Sequence, residues 1–237
     1  MFNSKQILME NDEILVVYKP AGIAVQSGSV GQMDLEHQLL GYLSAKGRGR
    51  EIPYLAVLHR LDQPVEGVLL FAKTKEAAAR CSEQVRNGKM KKEYLAVVSP
   101  APAEKTALLT DYLLRDGKTN SSRVVKAGSK EAKKSQLSYE VLEEKEDGQA
   151  LLRIRLMTGR HHQIRVQLAH AGMPIIGDHK YGKQEENSSP TTKRRGKSEL
   201  LLCAAALTFE NPVDGKPVRI EISPKGSGFQ NFKQVTI

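Results

Sequence analysis

The sequence predicts an α+β chain with a largely antiparallel sheet. Short apolar runs suited to strands recur along all 237 residues, and turns such as Asn11-Asp12 and Glu146-Asp147-Gly148 separate them. Only two or three segments show helical periodicity, and alternating strand-helix-strand units, which would demand a parallel sheet, do not recur. No internal repeat or linker divides the chain. A single domain spanning residues 1–237 is therefore expected.

Taken in order, ILMENDEILVVY at 7–18 reads as a hairpin, Lys19, Pro20, Ala21 and Gly22 as a turn, and IAVQSG as a further extended piece. Residues 34–46 place Leu35, Leu39, Leu40 and Leu43 at helical spacing, with Asp34 as N-cap and His37 facing outward. The basic KGRGRE that follows is a solvated loop. A second helix runs from the N-cap Thr74 to the stop signal Asn87-Gly88. MKKEYLAVVSP is a strand beginning with basic residues. Residues 115–134 carry nine ionisable side chains, seven of them basic, among Gly, Asn and Ser. This composition predicts a mobile excursion, either solvated or laid across a polyanion through Lys118, Arg123 and Lys126. SQLSYEVLEE and residues 150–156 form a strand pair. Residues 183–199 lack hydrophobic period and read as loop or disorder. LLCAAALTF and NPVDGKPVRIEISP supply the closing strands.

Thirty-six Lys and Arg against 27 Asp and Glu leave a net charge of +9, which points to a polyanionic partner. Aromatics make up 5% and tryptophan is absent, so a broad stacking platform for single strands is poorly supported. No apolar run approaches the roughly 18 to 20 residues that span a bilayer, and MFNSKQILMEND has neither the basic start nor the apolar core of an export signal. A cytoplasmic protein is expected. Cys81 and Cys203 are too few for a disulfide framework and lack zinc-site pairing, so both should be small buried residues.

Two clusters concentrate chemistry. HRLDQPVEGVLLFAKT, residues 59–74, brings His59, Arg60 and Asp62 to a turn marked by Pro64 and Gly67, at the mouth of a strand that is apolar on both faces. The same residues would also make a solvated turn whose Arg60–Asp62 ion pair is worth under about 1 kcal/mol. TGRHHQIRVQLAHAGMPIIGDHKYG, residues 158–182, reads as a helix whose first turn carries Arg160, His161, His162, Gln163 and Arg165. Its histidines lack the spacing of a helical zinc motif with an acid between, so hydrogen bonds to backbone or phosphate account for them and no metal is expected.

HRLD, followed by a glycine and an apolar strand ending in Ala-Lys-Thr, resembles the signature of RNA pseudouridine synthases of the RluA type. KPAG, Lys92-x-Tyr94-x-Ala96, the near-complete T-G-R-x-H-Q-I-R with its tail G-x-P-I-x-G-D-x-x-Y-G, and LLCAAALTF extend the likeness over nearly the whole chain. Two departures stand out. Pro64, Val65 and Glu66 replace the family's usual Asp-Thr-Ser, and Cys203 replaces a His. The resemblance implies a pseudouridine synthase fold, a bent mixed sheet with flanking helices and a central cleft, and a monomer that isomerises uridine within rRNA or tRNA without cofactor. It casts Asp62 as the catalytic residue, Tyr94 against the base and Arg165 against the carboxylate. His59, Arg60, Arg160, His162, Gln163 and Leu202 would contact substrate. With about six residues ahead of the first strand, no separate N-terminal RNA-binding domain is expected. A non-catalytic RNA-binding protein that kept the fold, or a hydrolase pairing Asp62 with Glu66, is the rival. Dialysis against a chelator should leave the rate on a short unstructured RNA unchanged, and rescue by zinc would restore the metal reading.

Overall fold

The structure is a computed structural model that describes residues 2–27, 33–47, 52–182 and 199–235. In chain order the elements are β1 (Ile7–Glu10), β2 (Ile14–Lys19), α1 (Leu35–Lys46), β3 (Ala56–Val57), β4 (Glu66–Ala72), α2 (Lys75–Arg86) and β5 (Lys91–Val98), then β6 (Thr106–Asp116), β7 (Ser121–Val125), β8 (Lys133–Glu144), β9 (Ala150–Leu156), α3 (Gln163–His170), β10 (Leu202–Glu210) and β11 (Pro217–Glu221). They form two compact units, one of Met1–Lys92 with Ala204–Ser223 and one of Glu93–Cys203 with Pro224–Ile237.

The first unit is built on strands in the order β1-β2-β4-β10, with β3 beside β4 and β11 beside β10. β1 with β2, β2 with β4, β3 with β4, and β10 with β11 are antiparallel. The first hairpin closes because the Asn11 carboxamide oxygen accepts the amides of Glu13 and Ile14, a local bond that favours a turn over continued strand. Every residue of β2 and β4 is buried, as the apolar runs Ile14–Val17 and Val68–Ala72 require, and the charged Lys19 and Glu66 at their ends are buried with them. Asp34 and Thr74 cap α1 and α2 by accepting amides three residues on, and α2 ends before Gly88 at φ +65. Ala77 and Cys81 of α2 share a core with Val68, Leu70 and Phe209. Burial pushes the Cys81 thiol up to about 11, which leaves it an inert packing group. Residues 23–27 of the extended piece join no strand ladder. The Ala24 and Val25 carbonyls accept the first amides of α1 instead, so they are unavailable to a ladder.

The second unit carries the antiparallel series β5-β9-β8-β6-β7. β6 has no clear signal in the sequence, because Leu113 is its one buried residue and its leucines come in adjacent pairs, 108–109 and 113–114. The basic segment 115–134 is not a mobile excursion. β7 pairs with β6 from Tyr112↔Val125 to Asp116↔Ser121, and the buried Ser122 donates its amide to the Tyr181 hydroxyl. Backbone pairing and tertiary bonds from Tyr181, His161 and Lys180 hold the hairpin while Arg123, Lys126 and Lys118 stay exposed. Most of the KGRGRE loop and of the polar stretch 183–199 lies outside the described residues. Among those residues no helix is long and apolar enough to cross a membrane.

Gly67 shows why the HRLD turn needs a glycine where β4 begins. Its φ is +141, and a Cβ there would lie 2.5 Å from the Ala204 Cβ and carbonyl oxygen. Backbone strain and collision therefore act together. Gly67→Ala should destabilise the protein by about 3 kcal/mol or more, read as a lowered urea midpoint.

Candidate active site

Asp62 is positioned by a lattice of bonds between the KPAG turn and its own. β2 and β4 run in register with Lys19 opposite Gly67, so the chain leaving β2 meets the chain entering β4. The Gly22 amide donates to the Gln63 carbonyl at 2.9 Å, the Gln63 carboxamide donates back to the Gly22 carbonyl at 3.0 Å, and the Val65 amide closes the turn on the Asp62 carbonyl at 3.0 Å. At the centre lies Lys19, fully buried, whose ammonium donates to the carbonyls of Pro20 (2.9 Å), Gln63 (3.1 Å) and Val65 (2.6 Å). Burial lowers its pKa to about 8, against the opposing pull of the Asp62 and Glu66 carboxylates. Glu66 is buried on β4 and accepts the Tyr18 hydroxyl at 2.5 Å. Lys19 was visible in the sequence only as part of a turn motif. A lysine closing an apolar run was the signal, but burial alone reveals its role.

His59 turns inward. Its Nε2 accepts the Leu70 amide at 3.3 Å, which assigns the proton to Nδ1, and that nitrogen is buried with no partner. Burial, with the Lys92 charge adding to it, drives the His59 pKa well below its ordinary value, so the ring is neutral. Burial also lowers the pKa of Lys92. Arg60 is exposed and Asp62 half-buried.

In the second unit Tyr94 is buried on β5 and Leu202 is buried at the start of β10. Arg165 on α3 grips Asp178 with two parallel bonds, Nε to Oδ2 and Nη2 to Oδ1, each 2.8 Å. Burial pushes the Asp178 carboxyl up, but the Arg165 guanidinium and the amides of Lys180 and Tyr181 outweigh it and hold it below the usual carboxylate range. Asp178 belongs to the G-D-x-x-Y-G tail, yet nothing in the sequence pairs it with Arg165, thirteen residues back. The Arg165 guanidinium also lies over the Tyr181 ring, 5.1 Å from its centroid.

Tyr181 extends this cluster to the basic hairpin. Its hydroxyl meets His162 Nδ1 at 2.6 Å and accepts the Ser122 amide at 2.9 Å, while His161 stacks on His162 and bonds Ser122 and Asn120. His162 caps α3 at φ +53, a left-handed conformation uncommon outside glycine. Gln163 acts inward. Its amide accepts from the Thr158 hydroxyl and the Arg160 backbone and donates to the Gln136 carbonyl, so it shapes the turn that presents the exposed Arg160. Among the described residues no three His, Cys, Asp or Glu side chains converge on a metal site.

Comparison with known proteins places this arrangement. Residues 13–170 match the RNA pseudouridylate synthase family. The chain is 37% identical over 228 residues to ribosomal large subunit pseudouridine synthase C of Escherichia coli K12, covering 96% of this chain and 69% of that one. It is 38% identical over 215 residues to the Yersinia pestis protein of the same name, covering 91% and 64%. Among solved structures it is similar to human RNA pseudouridylate synthase domain containing 4, with a TM-score of 0.73 at 26% identity over 94% of this chain and 90% of that one. The fold is that of the pseudouridine synthases, α+β with a largely antiparallel sheet and three helices. The chain belongs to the RNA pseudouridylate synthase family, in its RluA-type branch, whose members are RNA uridine isomerases.

The Arg165–Asp178 pair should dominate the stability of the second unit near neutral pH. Arg165→Met leaves a buried carboxylate without its guanidinium and should cost about 3 to 5 kcal/mol at pH 7. Because native Asp178 has a lowered pKa, the wild-type pair contributes fully above the ordinary carboxylate pKa and loses its contribution as pH falls through the native value. In the variant only the amides of Lys180 and Tyr181 oppose burial, so the penalty should shrink as acid protonates Asp178. Urea midpoints of both proteins between pH 4 and pH 8 measure the difference.

Proposed function

We propose that the chain converts specific uridines of RNA to pseudouridine with Asp62 as the catalytic residue, and that large-subunit ribosomal RNA is its substrate. The observation that carries the reading is the placement of Asp62: a half-buried carboxylate on a turn stitched by the Lys19 ammonium, at the entrance to the fully buried β4. A carboxylate so held does not need to be reorganised when substrate arrives. The relatives' names, which specify the ribosomal large subunit, favour rRNA over tRNA.

Isomerisation breaks the bond between base nitrogen and ribose, turns the base, and rejoins it through carbon, with no redox change. The nucleotide must leave its stack to reach Asp62. In this reading Tyr94 supports the base and Arg165, fixed by Asp178, stabilises the Asp62 carboxylate. Arg60 and Arg160, both exposed, contact RNA backbone, and His59 and Leu202 shape the site. His162 and Gln163 serve binding through the turn they hold. The basic β6–β7 hairpin adds affinity for phosphate without choosing a sequence. Both units act as one catalytic domain in a cytoplasmic monomer.

Asp62→Asn should bind RNA and fold normally yet form no pseudouridine, measured by mapping pseudouridines in ribosomal RNA; full activity would remove the proposal. Replacing Arg123 and Lys126 by Ala should weaken binding to all RNAs alike and shallow the log-log salt slope by about 1 to 2 units. A changed modification site at unchanged affinity would contradict the hairpin's role.

A further inference from the structure

Hydrogen bonds from Lys180, His161 and Tyr181 converge on the turn of the β6–β7 hairpin. The Lys180 ammonium donates to the Thr119 carbonyl at 3.2 Å and to the Asn120 carbonyl at 2.9 Å. His161 donates from Nε2 to the Asn120 carboxamide oxygen at 3.1 Å, and its Nδ1 accepts the Ser122 hydroxyl at 2.9 Å. The Tyr181 hydroxyl accepts the Ser122 amide. Asp116 closes the same turn from within by accepting the amides of Lys118 and Thr119. Asn120 sits at φ +49, a conformation uncommon outside glycine, with both its carbonyl and its side chain held.

Tyr181 and His162 occupy fixed positions of the motif strings G-D-x-x-Y-G and T-G-R-x-H-Q-I-R, whereas Lys180 and His161 fall on their open ones. That half of the clasp is this chain's own. Two of the three Lys180 donors go to backbone carbonyls, while Lys118, Arg123 and Lys126 on the hairpin itself are exposed. A basic segment this rich in Gly, Asn and Ser would, if loose, lose conformational freedom whenever RNA ordered it, and that loss would weaken binding. We propose that Lys180 and His161 are positioning residues for RNA binding: they pre-form the β6–β7 hairpin, so that its exposed cations meet phosphate without first being ordered. The proposal deepens the reading that this hairpin binds RNA and rests on it. It divides the work between cations: Lys180 holds the arm, and Arg123 and Lys126 touch the RNA.

The salt dependence of binding separates holding from touching, because each cation that contacts a phosphate adds about one unit to the log-log slope. The probe is a short unstructured RNA oligonucleotide, bound by the full chain between about 50 and 200 mM salt. Lys180→Met keeps the aliphatic stem and removes the donors. Its affinity should fall about three- to ten-fold with the slope unchanged, and KM for RNA should rise by the same factor while kcat stays within about two-fold. Hydrogen exchange of the amides from Thr119 to Val125 should quicken while the rest of the second unit keeps its protection. Lys180→Arg, which can still reach both carbonyls, should restore the affinity. His161→Phe keeps a ring to stack on His162, where the centroids lie 3.7 Å apart, but has no ring nitrogen, and it should repeat the pattern of Lys180→Met. A slope shallower by about one unit in Lys180→Met would make Lys180 a phosphate contact and overturn the inference. Undiminished affinity, or hairpin amides as protected as in the wild type, would overturn it as well. Failure of the underlying reading shows in a different variant: unchanged affinity with both Arg123 and Lys126 replaced by Ala would mean that the hairpin does not bind RNA.

Discussion

A single buried ammonium organises the turn that carries Asp62. Taking a lysine out of water costs several kcal/mol unless its donors are met, and Lys19 meets them with carbonyls from two turns remote in sequence. The restraint is mutual, because the carbonyls of Gln63 and Val65 would themselves be poorly solvated without the ammonium. Gly67 permits this closeness by letting β4 begin against Ala204. The strand pair beneath, buried at every position, gives the turn a rigid base.

The second unit solves a related problem with different chemistry. Where three carbonyls converge, a lysine serves as a compact point charge with three donors. Where a carboxylate must be held at a fixed angle, the arginine fork of Arg165 supplies two parallel bonds to Asp178. Asp178 then receives the amides of Lys180 and Tyr181, and Tyr181 carries the restraint to His162 and to the hairpin amide of Ser122. Arg165 is therefore oriented by a network that reaches the basic arm, which ties that hairpin to α3. The left-handed His162 at the start of α3 fits the same pattern, since a strained backbone persists only where its surroundings over-determine it.

The elements differ in how much of this the sequence disclosed, and the reason is the range of the forces involved. Apolar runs, Asn11, Asp34, Thr74 and Gly88 act within a few residues, so the first hairpin, both long helices and β4 could be read directly. β6 could not, because it buries little beyond Leu113 and its paired leucines leave no period in the sequence. The segment 115–134 looked mobile by composition, yet its neighbours on β6 and the hydroxyl of Tyr181 hold it as a hairpin; composition records solvation but not pairing.

By itself the sequence determined the α+β class and the family, because these follow from local patterning and from short motifs that survive as strings. Only the tertiary structure decided what the residues of those motifs touch. It showed Lys19 to be a buried staple instead of a turn residue, Glu66 to be enclosed beside Tyr18, and Asp178 to be the carboxylate in the fork of Arg165. Burial and partnership of charges depend on chain segments far apart in sequence, and their energies come from desolvation and from bonds a few ångströms long, which no linear pattern encodes.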